Sequence, residues 1–168
     1  MDNMQSALLA GLPGLGLSLP NGAAETMCAF GHALLDSLGK RMAWLAETLS
    51  SLNITASCIT ARAEEAVASR REQFDFAVSR AVARLPVLCE LCLPYVKVGG
   101  AFLSMKGAAA QEEVREARQA IALLGGRLEQ LVTFSIGGAE HAVAVIRKVR
   151  PTPPAYPRRF GKIKQQPL

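Results

Sequence analysis

From residue 33 onward the hydrophobic positions switch repeatedly between two periods. Ala33-Leu34-Leu35-Asp36 reads as a short buried strand closed by an acid. Leu38, Met42, Leu45, Leu49 and Leu52 then recur at spacings of four and three, which lays them on one helical face. Ser37 is placed to cap that helix and Asn53 to stop it. Residues 54–61 read as a strand, 63–69 as a short helix and 74–79 as a strand. A helix is predicted over 82–97, bent or capped near Pro86 and Pro94, and Gly99-Gly100 separates it from a strand over 101–105. An amphipathic helix over 112–124 ends at Gly125-Gly126. There the alternation stops: residues 127–136 and 141–149 read as consecutive strands joined at Gly137-Gly138, an antiparallel hairpin.

Repeated strand–helix units closed by a hairpin predict an α/β, Rossmann-like, doubly wound domain whose sheet is mostly parallel. Ligands of such sheets lie at the carboxyl ends of the strands, so the loops after Asp36, Ala61, Ser79 and Met105 are where a site is expected. The size agrees with one domain: 168 residues, 50% hydrophobic and 20% charged, supply a core and exclude disordered and collagen-like classes. The first 39 residues lack Lys and Arg, which raises the question of a leader or a membrane segment. The opening Met1-Asp2 is wrong for a signal peptide, and Pro13, Pro20 and the intervening glycines break a spanning helix. A soluble, cytoplasmic protein is expected.

Charge changes the picture at one end. The net charge is +5, yet residues 147–168 hold seven basic side chains (Arg147, Lys148, Arg150, Arg158, Arg159, Lys162, Lys164) and no acidic one, leaving 12 basic against 14 acidic elsewhere. Pro151, Pro153, Pro154 and Pro157 predict an extended path that displays these charges with Tyr156 and Phe160. Such an arm suits an anionic polymer, with an aromatic ring free to stack on an unpaired base; a solvated tail kept for solubility has the same composition. Cys89 and Cys92 form a C-x-x-C, but they stand at i, i+3 within an apolar helix, where buried structural thiols are expected. No second pair or clustered His completes a metal site, and His32 and His141 stand alone.

Among the strand ends, Asp36 is placed to accept hydrogen bonds from both ribose hydroxyls of an adenosine-bearing cofactor. The alternative is an acid stabilising a helix amino terminus. Gly11-Leu12-Pro13-Gly14-Leu15-Gly16 has glycines at a spacing that fits a cofactor loop, but no convincing strand precedes it to aim its N–H groups.

Leu34-Leu35-Asp36-Ser37-Leu38-Gly39-Lys40-Arg41, Ser79-Arg80-Ala81-Val82-Ala83, Glu90-Leu91-Cys92-Leu93-Pro94 with Gly99-Gly100, Met105-Lys106-Gly107, and Val145 through Lys148 with Tyr156-Pro157-Arg158-Arg159 occur in that order. Together they resemble the RsmG (GidB) family, the bacterial small-subunit ribosomal RNA guanine-N7 methyltransferases, over residues 34–168. The resemblance implies a class I methyltransferase using S-adenosyl-L-methionine, with 16S rRNA or the small ribosomal subunit as partner and no metal. It implies that Asp36 holds the ribose, that Ala63 and Glu64 line the adenine side, and that Arg80 and Leu12 belong to the cofactor site. Lys106, Arg147, Arg158, Arg159, Lys162 and Lys164 are the candidates for contacting RNA. No catalytic acid or base is expected, because guanine N7 presents an in-plane lone pair and needs alignment more than deprotonation.

The family's glycine turn is incomplete here. Residues 1–33 are therefore expected to form a truncated or degenerate first βα unit, 34–150 the methyltransferase core and 151–168 a basic Pro-rich tail, in a monomer. Three activities stay open: an rRNA methyltransferase, a catalytically impaired RNA-binding relic of it, and a nicotinamide-dependent oxidoreductase.

Overall fold

A computed structural model describes residues 6–9, 32–80 and 82–168. The chain runs β1 (Ser6–Leu9), β2 (His32–Asp36), α1 (Gly39–Ser51), β3 (Ala56–Thr60), α2 (Ala63–Ala66), β4 (Phe74–Arg80), α3 (Leu85–Cys92), β5 (Val96–Gly107), α4 (Ala110–Glu116), α5 (Arg118–Leu123), β6 (Gly126–Ile136), β7 (Ala139–Lys148) and α6 (Phe160–Gln165). Single 3₁₀ turns follow α2 and α3, at Val67–Ser69 and Leu93–Tyr95.

The strands form one seven-stranded sheet in the order β3-β2-β1-β4-β5-β7-β6. β2 is parallel to β3 and β4 to β5, while β1 and β7 run against their neighbours. Thus β2 through β6 share one direction, and the sheet is the mostly parallel α/β arrangement expected, with the antiparallel hairpin at its edge. Crossovers β2–α1–β3 and β4–α3–β5 travel in opposite directions along the sheet, so right-handed connections place their helices on opposite faces.

One face carries the main core. Leu35, Ala77, Phe102, Ala144 and Ile146 pack against Leu85, Leu88, Leu91 and Cys92 of α3 and Val114 and Ile121 of α4 and α5. Val78, Leu103 and Val143 form a smaller cluster on the other face. This alternation, residue by residue on β4, β5 and β7, follows from the strand period of two. Phe102 is fully buried; truncating it to Ala would cost about 3–5 kcal/mol.

Several boundaries differ from expectation, each for a local reason. Leu38, not Ser37, occupies the cap of α1, and the Leu38 N–H donates to Asp36 Oδ1 at 2.9 Å, so the acid does the capping. The helix predicted to run to residue 97 ends at Cys92, because Pro94 falls in the 3₁₀ turn and the β-branched Val96 begins β5. The helix over 112–124 begins earlier, at Ala110, and is broken at Ala117 into α4 and α5. Gly137 and Gly138 both have positive φ (58° and 80°), as a two-residue hairpin turn of the primed kind requires. Gly125 ends α5 at φ 84°, where a Cβ would collide with the Arg150 carbonyl.

Two differences are larger. A strand does precede the glycines: Ser6–Leu9 fills the central slot, bonded antiparallel to both β2 and β4, with Ser6 opposite Asp36 and Ala7 opposite Ser79. The carboxyl end of β1, Leu9, therefore pairs with Ala33 at the amino-end edge of β2, away from Asp36. The tail is not an extended arm. Ile163 of α6 is fully buried in the main core, and Tyr156, Phe160 and Leu168 pack against the same core.

Candidate functional site

The carboxyl ends of the parallel strands bring Asp36, Ala61–Glu64 and Arg80 to one edge of the sheet, with Lys106 near the end of β5. Asp36 closes β2 in register with Thr60 of β3, and Arg80 closes β4 in register with Met105 of β5. Asp36 is only 2% exposed, and its second oxygen pairs with Arg41 of α1. One carboxylate thus receives the N–H at the amino end of α1 while standing at the strand end where a ribose acceptor was expected. Arg41, five residues on, was the partner that the sequence reading missed.

Ala63 and Glu64 open α2. The Tyr95 hydroxyl, buried, donates to the Ala63 carbonyl at 2.6 Å and pins this turn to the 3₁₀ turn that follows α3. Burial pushes the Tyr95 phenol up, so it stays a donor at any ordinary pH. The Glu64 side chain is 7% exposed; one oxygen lies 3.8 Å from Arg62 Nη1, and the other is buried without a hydrogen-bond partner among the described residues. Ser79 Oγ on β4 is likewise buried and unpartnered, and it lines a pocket of about 10 Å³ with Leu35, Ala61, Ala63, Val82, Leu88, Leu91 and Cys92. Arg80 is exposed. Leu12 lies outside the described residues.

A nucleoside offers hydroxyl and amine donors, and this edge offers a buried acid together with a buried carboxylate oxygen and a buried serine hydroxyl that lack partners among the described residues. The donor–acceptor chemistry fits an adenosine-bearing cofactor.

The candidate RNA contacts divide into two groups. Lys106 Nζ is 2.7 Å from Glu113 and donates to the Ala83 carbonyl at 2.6 Å, with its side chain 8% exposed. Arg147 binds Glu129 at 2.7 Å and the Gly99 carbonyl at 3.0 Å. Arg158 gives its backbone N–H and Nε to Glu90 Oε1, both at 2.8 Å, and Nη2 to Oε2 at 2.6 Å. Glu90 is fully buried, and its bond raises the Arg158 guanidinium further above its already high value. These three cations are engaged within the fold. Arg159, Lys162 and Lys164, by contrast, are exposed at the start and along α6.

Lys148, counted as part of the basic tail, is fully buried. Its ammonium donates to the Leu93 carbonyl at 2.7 Å, the Val96 carbonyl at 3.2 Å and Thr152 Oγ1 at 2.7 Å, and lies 3.1 Å from Glu72. Thr152 in turn donates through N–H to Glu72 and through Oγ1 to Leu124. Burial works to raise the Glu72 carboxyl, but the Thr152 N–H and Lys148 outweigh it and hold the group below its ordinary value. Burial also lowers Lys148, against the pull of Glu72. With Arg71 donating to the Tyr156 carbonyl, this cluster straps residues 151–158 onto the body.

Cys89 and Cys92 are buried thiols, as their helical spacing implied. Burial raises Cys89 well above its usual value and pushes Cys92 up to about 12, so neither is a thiolate at neutral pH. No cluster of three or more His, Cys, Asp or Glu side chains suited to a metal occurs among the described residues. No helix among them is long and apolar enough to cross a membrane.

The strand order and the edge of acids place the chain in the Rossmann-like class of methyltransferase folds. A solved rRNA methylase from Streptococcus thermophilus shares that fold at a TM-score of 0.52 and 18% identity, over 69% of this chain and 72% of that one. The sequence model of GidB, rRNA small subunit methyltransferase G, matches residues 10–143, and the chain belongs to that family. Ribosomal RNA small subunit methyltransferase G of Clostridium tetani is 39% identical over 95% of this chain and 66% of its own length. That of Lachnoclostridium phytofermentans is 43% identical over 95% and 65%, and that of Acetivibrio thermocellus 46% over 80% and 57%. The chain spans about two thirds of the length of the curated relatives it matches, or less.

Proposed function

We propose that this chain carries the methyltransferase core of an enzyme that transfers a methyl group from S-adenosyl-L-methionine to N7 of a guanine in the decoding-region loop of 16S rRNA. The observation that carries the reading is a family match over residues 10–143 that spans the edge holding Asp36, Glu64 and Arg80. The cofactor supplies an electrophilic methyl on a sulfonium centre. Asp36 would receive the ribose hydroxyls on the lone pairs left beside the Leu38 N–H and Arg41. Glu64, with an oxygen lacking a partner, accepts from the adenine side, and Arg80 neutralises an anionic group at the mouth of the cleft. Guanine N7 needs no general base, so the protein's work is to orient the two reactants and exclude water.

On this reading residues 34–150 are the core, 1–33 a divergent first βα unit, and 151–168 a basic segment docked on that core, in a cytoplasmic monomer. The small ribosomal subunit or its naked 16S rRNA is the partner. Phosphate contacts fall to Arg159, Lys162 and Lys164, whereas Lys106, Arg147 and Arg158 hold the frame.

The test is methyl transfer from labelled S-adenosyl-L-methionine to small-subunit RNA, with the product mapped by strand scission at N7-methylguanine. One modified guanine in the decoding-region loop is expected. RNA retention by a folded sample without any transfer would overturn the enzymatic reading and leave the binding relic.

A further inference from the structure

We propose that the C-terminal segment positions the adenosine side of the cofactor site, with Phe160 seating Arg62 and Arg62 holding the Glu64 carboxylate. The proposal rests on the cofactor reading above and assigns residue 160 a role that charge and proline spacing do not predict.

The Arg62 guanidinium carbon stands 5.9 Å from the centroid of the Phe160 ring, within reach of a cation–π contact. The same guanidinium lies 3.8 Å from Glu64 Oε1. Arg62 sits on the loop after β3 with its side chain half exposed, so without the ring it would sample many rotamers. Glu64 depends on it: the carboxylate is more than nine-tenths buried, and its other oxygen has no partner among the described residues. Among the described residues Arg62 is the cation paired with this carboxylate, and its charge biases the carboxylate's orientation.

Phe160 is itself held in place. It begins α6, whose Ile163 is fully buried, and the segment before it is locked by the three bonds from Arg158 to Glu90. The backbone at Ala63 is fixed separately by Tyr95. Core packing thus sets the turn's main chain while the tail sets the acid's side chain. The link also runs in reverse: a ligand that engages Glu64 must stabilise the docked tail by the same coupling free energy.

The experiment uses the full chain and its Phe160→Ala, Phe160→Trp and Arg62→Lys variants. Calorimetric titration with S-adenosyl-L-methionine is run beside a thermal melt without ligand, a salt-dependent titration with small-subunit RNA, and amide exchange across residues 160–165 with and without cofactor. Phe160→Ala is expected to weaken cofactor binding about threefold and, because the ring also packs on the core, to lower the ligand-free melting temperature; Phe160→Trp restores binding, and Arg62→Lys weakens binding as Phe160→Ala does with little change in melting temperature. Cofactor is expected to slow amide exchange in α6 of the wild type. Wild-type cofactor affinity in Phe160→Ala, or a loss confined to RNA affinity, overturns the proposal alone. A folded wild type that binds no cofactor overturns it together with the reading on which it rests.

Discussion

The two halves of the sheet are built on different terms. On the β4–β5–β7–β6 side, long ladders, the fully buried Phe102 and Ile146, and the Lys148–Glu72–Thr152 cluster join strands, helices and tail into one body. On the β3–β2–β1 side the strands have four or five residues, and α1 fully buries only Met42 while Trp44 and Leu52 are each 62% exposed. Asp36 belongs to the looser half, Glu64 follows its edge strand, and the groups that hold the tail belong to the tighter one. Stability and, on the proposed reading, cofactor recognition are therefore concentrated in different places, and the contact between Arg62 and Phe160 links them.

The largest effect that breaks this contrast is expected at Lys148. Lys148→Met removes the cation while leaving Glu72 and two buried carbonyls behind, and should cost about 4 kcal/mol of unfolding free energy, measured by urea titration. A cost near zero would mean that the tail cluster contributes nothing to holding the tighter half.

A smaller effect separates the halves by pH. The Glu72 carboxyl is lowered from 4.5 in the folded state, so the folded protein binds its proton less readily than the unfolded chain does. Its stabilisation is present above pH 4.5 and is lost as pH falls through the lowered folded value. Melting temperatures recorded from pH 6 downward should fall more steeply in the wild type than in Glu72→Gln. Parallel curves would contradict the assignment.

The smallest effect sharpens the other side of the comparison. Trp44→Ser, on the exposed face of α1, should change stability by less than about 0.5 kcal/mol. A loss several times larger in a urea titration would show that α1 packs far more tightly than its exposure indicates.

Most of the architecture was readable because short-range patterns encode it. The leucine spacing of α1 and the glycine pair of the hairpin each follow from local geometry. The direction of β1 was not readable, since four residues bonded to two distant strands carry no local signal of orientation. The tail misled because prolines and positive charges resemble a solvated arm. Two signals pointed the other way. The period of two along β7 puts Lys148 on the same inward face as Ala144 and Ile146, and Glu90 stands in the otherwise apolar run Leu85-Pro86-Val87-Leu88-Cys89-Glu90-Leu91-Cys92. An inward cation and a buried acid each demand a partner: Lys148 finds Glu72 and Thr152, and Glu90 finds Arg158.

The site was legible as an edge rather than as a set of contacts. Strand ends located Asp36, Glu64 and Arg80, but which cations stood beside the two acids depended on helix placement. Arg41 and Arg62 could be found only once α1, α2 and α6 were in position.

The most direct measurement is calorimetric titration of the wild type and Asp36→Asn with S-adenosyl-L-methionine. One site per chain is expected, weakened about tenfold in the variant, as loss of a charge-assisted bond to a ribose hydroxyl requires. A folded wild type that releases no heat and gains no thermal protection at millimolar cofactor would contradict the account.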